Sequence, residues 1–487
     1  MTAGVMSCKK FLDKEPLSFA TDGNFWKNED EGNSAVAGNY ALLRQALTDS
    51  YAYYSYGDFP TDEFRTDIGG EDLQQISNFQ WNLSVPSTST YRPMYKLRRY
   101  DNFYRLIDQA TRCIRLIPTI PASGFPSIES AEASRNALIG EAYFARAFAY
   151  FYMARIWGGV PIVEETVNKI GQSVDLPRAS EQEVLTQART DVNKAIEMLS
   201  WGYANSSNIA VRANKGAAYA LLAHLEAWAG NYAACADAAT QVIDKGGYQL
   251  VPMSNYLSIW KGQSPEGIFE ISANKPNEGS QSTIATLTLK APYLATNNGT
   301  LVTARLDEMD LKEKFPDSTD DLRIKNAFAF YNSIDPNCIK YSNIIYLTTN
   351  ANGDKGNPLA QNNIVIFRLS DIVLLKAEAM AAIGKYGDAR ILLDQIRTKA
   401  KPGNNYAGGD GTLFEAIIEE RSRELFLEGH RFYDLVRLAR KKNLYNFGSS
   451  RMTEAEFKAG KYYWPLDPTL ITLNPKLQQN LYWKDKM

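Results

Sequence analysis

Two segments of the chain resemble each other at a constant offset of 154 residues. Leu221, Ala223 and Ala227 in the first segment match Leu375, Ala377 and Ala381 in the second. A G-x-Y turn follows in each, at Gly230 and Gly384, and a second apolar helical pattern comes after the turn. A helix, a tight turn and a second helix form a tetratricopeptide unit, which buries its apolar face only against stacked neighbours. The repeat therefore predicts a scaffold of stacked helix pairs.

Other segments also have the 3.6-residue period of a helix. Residues 134–156 place Phe144, Phe148 and Phe151 on one stripe, and the helix is expected to end before the glycines and proline of residues 158–161. Ser180 with Glu183 forms a capping-box pattern, which predicts a helix running to about residue 199. Helices are therefore expected over much of the chain.

Two segments are of a different kind, and we call residues 49–95 the first insertion and residues 246–366 the second insertion. Both are rich in polar and aromatic residues, and the second contains β-like runs at 268–271 and 283–289. Loops held by a rigid scaffold commonly carry binding sites. The remaining segments are predicted to be an N-terminal tether with the first scaffold helix (1–48), helical scaffold (96–245 and 367–440) and a C-terminal packing segment (441–487).

Composition argues against several classes of function. The 53 Lys and Arg residues balance 55 Asp and Glu residues, for a net charge of −2, so the basic stripe of a nucleic-acid-binding protein is not expected. The sequence holds only two histidines and four cysteines, without metal-type spacing, and it lacks the common phosphate-loop, dinucleotide and nucleophile-elbow motifs. We therefore expect no metal, no cofactor and no catalysis.

Residues 412–440 read as a charged helix whose apolar stripe also holds Arg421 and Glu428. Glu420 and Glu424 suggest two interpretations. One is a carboxylate pair for acid–base work, as in glycoside hydrolases. The other is a buried ion network that fixes helix register, because a buried charge needs a partner. We favour the network.

The N-terminal residues Val5, Met6, Ser7 and Cys8 resemble the end of a bacterial lipoprotein signal, although the basic and apolar parts of a signal peptide are missing before them. This pattern predicts that Cys8 becomes an acylated N-terminus. The other cysteines, Cys113, Cys235 and Cys338, are predicted to be structural thiols.

Five groups of residues, spread over nearly the whole chain, match in order the motifs of one known family. They are Ser7 and Cys8 with Phe11, Leu12, Asp13, Pro16, Thr21, Phe25 and Trp26; residues 141–150 ending at 158–161; residues 368–371 with Glu378 and Ala379; Glu420, Arg421, Glu424, Leu425, Glu428, Gly429 and Arg431; and residues 464–466 with Asn474, Pro475 and 478–480. This pattern resembles the SusD/RagB family of outer-membrane nutrient-binding lipoproteins. Tyr100 is a departure, because the family often has Trp there.

The resemblance implies a mainly α fold, a right-handed superhelix of tetratricopeptide-like helix pairs with loop-rich insertions that contain short β-strands. It also implies a surface lipoprotein of a Gram-negative outer membrane, anchored through Cys8, that binds glycans without cleaving them. Its implied partner is a TonB-dependent transporter of the SusC type.

A sugar ring presents C–H bonds on its face and hydroxyls around its edge, so aromatic plates beside polar side chains suit it. On this basis the predicted ligand residues are Trp81, Asn82, Tyr91, Tyr95, Asp62 and Arg65 in the first insertion and Tyr293, Tyr331 and Tyr341 in the second. Replacing Trp81 by Ala is expected to weaken glycan binding without a loss of stability. Peptide capture, glycoside hydrolysis and a tetratricopeptide adaptor remain alternatives.

Overall fold

The computed structural model describes residues 25–65, 67, 69–86, 88–163, 175–274, 283–299, 301–316, 320–349, 353–447 and 451–487. Its longer helices are α1 (Glu29–Thr48), α5 (Asp101–Leu116), α6 (Ile128–Trp157), α7 (Glu181–Met198), α8 (Lys215–Trp228), α9 (Tyr232–Lys245), α14 (Leu369–Ala382), α15 (Tyr386–Ala400), α16 (Leu413–Glu424) and α17 (Arg431–Lys442). Shorter helices are α2 (Ala52–Gly57), α3 (Glu71–Ser77), α4 (Pro93–Leu97), α10 (Ser258–Lys261), α11 (Ile284–Thr288), α12 (Glu308–Lys314), α13 (Leu322–Ala327), α18 (Glu454–Lys458) and α19 (Pro468–Leu473).

Three small antiparallel ribbons accompany these helices within the described residues. They are β1 (Gly267–Ile271) with β6 (Ile364–Arg368), β2 (Phe328–Ala329) with β3 (Asn337–Cys338), and β4 (Ile344–Thr349) with β5 (Lys355–Ala360). All six strands lie in or at the edge of the second insertion. The predicted mainly helical fold with short strands in an insertion is confirmed.

The two repeated segments fold as predicted. Helices α8 and α9 form one antiparallel pair, α14 and α15 form the other, and α9 packs against α14. Gly230 and Gly384 have φ angles of 79° and 81° in the turns, a conformation that glycine adopts without a Cβ clash. The offset repeat therefore marks two neighbouring layers of one helical stack.

Helix α6 is the centre of the scaffold and packs against α1, α5 and α7. Its C-terminal half is buried on all sides, which explains why large rings at Phe144, Phe148 and Phe151 alternate with alanines. The capping boxes at Ser127 and Ser180 begin α6 and α7 by satisfying free backbone N–H groups. The predicted stop at Gly158 is confirmed, with a φ angle of 74°.

Two predicted elements differ from the structure. Residues 412–440 form α16 and α17 instead of one helix, and the break between them contains Leu427 and Gly429 at φ angles of 57° and 75°. The β-like run at 283–289 is the short helix α11, in which Ile284, Ala285 and Leu287 are buried. Tertiary packing of this apolar face overrides the β propensity of its threonines.

The described cysteines Cys113, Cys235 and Cys338 are buried free thiols, as predicted, and burial raises the pKa of Cys113 to about 12. Cys8 lies outside the described residues. None of the described helices is long and apolar enough to cross a membrane.

The charges of α16 are buried and paired, as the network interpretation predicted. Arg368 contacts three carboxylates: its Nη1 lies 2.7 Å from Glu266 Oε1 and 2.9 Å from Glu424 Oε1, and its Nε lies 2.8 Å from Glu428 Oε2. All four side chains are at most 1% exposed. Nearby cations hold the pKa of Glu424 well below its usual value despite its burial. These charges therefore link α16, β6 and the second insertion.

We expect Arg368→Met to lower the free energy of unfolding by about 3–5 kcal/mol, because it leaves buried carboxylates without their shared cation. Urea unfolding followed by circular dichroism measures this change. Arg390→Met is the matched control: Arg390 pairs with Asp410 at a site where both side chains are about a third or more exposed, so its loss is expected to cost about 0.5 kcal/mol or less. Equal effects of the two substitutions would contradict the role given to Arg368.

Candidate functional site

The two insertions meet along a short antiparallel contact. Arg65 N donates to Arg305 O at 3.1 Å, and Gly69 N donates to Thr303 O at 2.7 Å. An isolated β-bridge joins residues 64 and 306 directly next to the first of these bonds. Backbone pairing of this kind fixes which side chains of the two insertions are neighbours.

A row of ion pairs lies on this contact. Arg65 makes two bonds to Asp67, from Nε at 2.8 Å and from Nη2 at 3.0 Å, and a third from Nη1 to Glu308 Oε2 at 3.2 Å. Arg305 Nη1 lies 3.5 Å from Asp67 Oδ2. The hydrogen bonds from Arg65 lower the pKa of Asp67, which is 53% exposed, so this carboxylate is charged at neutral pH. The row offers charged donors and acceptors to solvent.

An aromatic pair adjoins the ion pairs. Phe330 is 40% exposed and lies edge-on to Tyr293, with ring centroids 6.3 Å apart. Lys290 Nζ lies 4.9 Å from the centroid of the Phe330 ring and 2.9 Å from Asp335 Oδ2. Phe330 has a φ angle of 55°, a strained conformation for an aromatic residue, and such strain is concentrated at functional sites.

Asp335 connects the aromatic pair to the ion-pair row. Its Oδ2 accepts from Lys290 and from Val302 N, while its Oδ1 lies 3.9 Å from Arg305 Nε. Within the described part of the chain, neither Asp335 Oδ1 nor Arg305 Nε has a hydrogen-bond partner. We call the connected set Arg65, Asp67, Lys290, Tyr293, Arg305, Glu308, Phe330 and Asp335 the junction surface.

The junction surface can bind a ring with a polar edge. The exposed face of Phe330 suits the apolar face of such a ring, and the Arg65–Asp67 pair suits hydroxyls at its edge. Sugars have this distribution of apolar and polar groups.

Two family descriptions match the sequence. A model described as starch-binding associating with outer membrane matches residues 10–226, and a model of the SusD family matches residues 331–483. Both parts of the chain therefore resemble the SusD/RagB family. The resemblance stated from the sequence motifs is thereby confirmed.

Proteins named SusD-like match this chain over most of its length. The SusD-like protein P38 of Formosa agariphila is 26% identical over 538 residues, which cover 99% of this chain and 97% of that protein. A SusD-like protein of Bacteroides ovatus is 25% identical over 88% of this chain and 78% of its own. A solved SusD homolog from Bacteroides thetaiotaomicron has a TM-score of 0.80 at 26% identity, with 94% of this chain and 99% of that chain covered.

The expectation that Trp81 forms a sugar-binding plate is wrong in this structure, because its side chain is completely buried. Its ring stacks on Trp464 with centroids 4.3 Å apart, and its Nε1 donates to Ile76 O at 3.0 Å. Tyr341 is also unsuitable as an exposed plate, since it is 2% exposed and its hydroxyl donates to Leu427 O. Both rings pack the insertions onto the scaffold.

Asp62 and Arg65 were expected to bind ligand hydroxyls together, but in the structure the two side chains contact different residues. Asp62 Oδ1 accepts from Arg431 Nε at 2.9 Å, and its Oδ2 lies 2.8 Å from Lys314 Nζ. These cations outweigh burial and lower the pKa of Asp62. Asp62 therefore ties the first insertion to α17, and of this pair only Arg65 belongs to the junction surface.

The other predicted residues lie in different places. Tyr293 belongs to the junction surface, whereas the hydroxyl of Tyr331 donates inward to Phe315 O at 2.9 Å. Asn82 Nδ2 donates to Lys486 O at 3.0 Å. The Tyr95 ring lies under the guanidinium of Arg99, and Tyr91 is 74% exposed. Among the described residues, no hydrogen bond or ring contact joins Asn82, Tyr91 or Tyr95 to the junction surface, and their role in binding stays a prediction.

Six members of the junction surface were not predicted from the sequence, namely Asp67, Lys290, Arg305, Glu308, Phe330 and Asp335. Phe330 stands directly before the predicted Tyr331 but is not one of the tyrosines that were expected to bind sugar. Asp67, Arg305 and Glu308 come near Arg65 through the pairing of residues 65–69 with 303–305, which no local pattern indicates. Lys290 and Asp335 meet across 45 residues of the second insertion.

The two histidines meet Asp371 in the core and form a cluster with metal-ligand residue types. The ligand atoms of His224, Asp371 and His430 lie within 4.8 Å of one another, and His224 Nε2 lies 2.7 Å from Asp371 Oδ2. Arg421 Nη1 lies 2.9 Å from Asp371 Oδ1 and already compensates that carboxylate. Burial lowers the pKa of both histidines, that of His430 to about 3. We interpret the cluster as a neutral histidine pair within the core ion network.

We expect Trp81→Ala to lower the free energy of unfolding by about 3–5 kcal/mol, because it empties a site filled by a buried indole. Chemical denaturation measures this change. The matched comparison is Tyr91→Ala, which removes an exposed ring and is expected to change stability by about 0.5 kcal/mol or less. A Trp81→Ala protein as stable as the wild type would contradict the buried position.

Protonation of His430 is expected to destabilise the fold below neutral pH. Its pKa is about 3 when folded and about 6.5 when unfolded, so the unfolded chain binds a proton first as the pH falls. Between pH 6.5 and 5 this linkage lowers the free energy of unfolding of the wild type by about 2 kcal/mol. The His430→Gln variant lacks this loss. Urea unfolding at pH 7.5 and pH 5 measures the difference in free energy of unfolding between the two proteins. From pH 7.5 to pH 5 this difference is expected to shift by about 2 kcal/mol in favour of the variant. A difference that does not change with pH would exclude this linkage.

Proposed function

We propose that this SusD-family protein binds an oligosaccharide at the junction surface without cleaving it. The observation that carries the proposal is the link from the exposed Phe330 ring, through Lys290, Asp335 and Arg305, to the Arg65–Asp67 ion pair where the two insertions meet. An apolar plate next to charged hydrogen-bonding groups matches the two kinds of surface that a sugar presents. The family description, which associates these proteins with starch binding, supports the same class of ligand.

The carboxylates do not favour hydrolysis. Glu420 and Glu424 are completely buried, and Arg323 contacts both of them, with its Nη1 2.7 Å from Glu420 Oε1 and 3.4 Å from Glu424 Oε2. A glycoside hydrolase needs two carboxyl groups that flank the scissile bond, one of them protonated. Arg423 and Arg323 hold the pKa of Glu420 at about 2, and Lys399 with Arg368 holds that of Glu424 well below its usual value, so both stay ionised, and both are buried. This favours binding over catalysis.

The proposal extends to delivery of the glycan to a SusC-like TonB-dependent transporter of the outer membrane, with Cys8 as the lipid-bearing residue. The family description supports association with the outer membrane. Co-purification of a TonB-dependent transporter with the full-length lipoprotein from its native membrane tests the partnership, and mass spectrometry of the N-terminal peptide tests acylation of Cys8. Recovery without such a transporter, or an unmodified Cys8, would contradict the respective part.

We expect Phe330→Ala to weaken glycan binding about tenfold, because it removes the ring against which the sugar face packs. A glycan array on the soluble chain without Cys8 first identifies a ligand, and isothermal titration then gives the affinity of each variant. Tyr91→Ala serves as the comparison, since Tyr91 is an exposed ring of the first insertion away from the junction surface.

Loss of binding in Tyr91→Ala with normal binding in Phe330→Ala would place the ligand elsewhere on the first insertion. Absence of any glycan ligand together with binding of peptides would replace the proposal by peptide capture.

A further inference from the structure

A partly enclosed pocket with a cavity volume of about 90 Å³ lies apart from the junction surface and shares no residue with it. It is formed by α1 and α2 on one side and by α11, β5 and β6 on the other. Its surface is mainly apolar, with Leu47, Ile284 and Ile364 among the aliphatic residues and Arg44 and Asn362 among the polar ones. A pocket of this size and lining suits a small apolar group.

Two hydroxyl groups of this pocket make no hydrogen bond of normal length within the described residues, although one of them, that of Tyr54, interacts with the hydroxyl of Tyr341. They are Tyr54 Oη and Thr283 Oγ1, both buried atoms. Tyr54 as a whole is only 4% exposed. Because a buried polar group without a partner is costly, such groups indicate a partner that is bound when the protein functions.

The backbone at the pocket wall is strained. Ser50 and Tyr51 are consecutive residues with φ angles of 59° and 54°, in the left-handed region that side chains other than glycine rarely adopt. The second of them, Tyr51, lines the pocket. Strain of this kind is retained mainly where it positions a functional side chain.

We propose that this pocket binds a small aromatic ring that carries one hydroxyl group. The aliphatic walls and the Tyr51 ring surround the apolar part of the ligand, and its hydroxyl bonds to Tyr54 Oη, Thr283 Oγ1 or both. A sugar unit fits less well, because the pocket surface is mostly apolar and would leave several of its hydroxyls unpaired, which opposes binding. The site is therefore a second ligand site with a different chemistry from the junction surface.

The probes are p-cresol, which has the hydroxyl, and toluene, which lacks it. Titration followed by ligand-observed nuclear magnetic resonance gives their affinities for the wild-type protein and for variants. We expect saturable binding of both probes to the wild type. Tyr54→Phe should weaken p-cresol binding about fivefold to tenfold and leave toluene binding unchanged, since it removes one hydrogen bond and keeps the ring.

Tyr433→Phe is the matched control, because Tyr433 also has a buried hydroxyl without a hydrogen-bond partner among the described residues but does not line the pocket. It should bind both probes as the wild type does. Ala273→Leu places a larger side chain at the pocket wall and should abolish binding of both probes. If Tyr54→Phe proves unstable in thermal unfolding, the Ala273→Leu variant tests whether the probes bind in this pocket.

Phe330→Ala should leave both probes unaffected, which separates this site from glycan binding. No saturable binding to the wild type, equal losses in Tyr54→Phe and Tyr433→Phe, or normal binding in Ala273→Leu would each overturn the proposal.

Discussion

The buried ion network around Arg368 is the interaction on which the rest of the structure depends. Arg368 and Glu424 are fully desolvated, and each contacts several partners of opposite charge, so neither is left uncompensated. Leaving a buried charge without its partner lowers the stability of the fold by more than a well-formed buried ion pair raises it. The network therefore tolerates only one arrangement of the segments that supply its members. It specifies geometry more than it adds stability.

The members of the network come from parts of the chain that are far apart. Arg323 of α13 and Lys340 after β3 belong to the second insertion, and they pair with Glu420 and with Glu428 respectively, at 2.7 Å and 2.6 Å. Asp62 of the first insertion pairs with Arg431 at the start of α17. Both insertions are thus held to the same two helices. Their loops meet at the junction surface because the scaffold fixes the position of each.

The scaffold could be predicted from sequence because its signals are local. A helix period, a glycine turn or a capping box lies within a few residues, and the pairs α8–α9 and α14–α15 follow from such signals. The buried charges were also predictable, since Arg421 and Glu428 stand at apolar positions of their segment.

The site was less predictable because its signals are not local. The sequence around Trp81 contains polar and turn residues and looks like an exposed loop, yet the C-terminal segment brings Trp464 over the indole. Likewise Asp67 and Arg305 are neighbours only because their backbones pair across 238 residues. Aromatic residues in loops serve both as anchors and as ligand platforms, and composition does not distinguish these roles. Burial by a distant segment decides between them.

The internal ion pairs of the junction surface determine how it can contribute to binding. Arg65 already donates to Asp67 and Glu308, so a ligand hydroxyl has to compete with partners that are in place. Each exchanged hydrogen bond then contributes only about 0.5–1.5 kcal/mol. A ligand that packs on the exposed part of the Phe330 ring does not have to displace a hydrogen-bond partner, and covering the ring removes apolar surface from water. The aromatic ring therefore sets most of the affinity for any ring-shaped ligand, whereas the fixed directions of the Arg65 and Asp67 groups set which hydroxyl pattern is accepted.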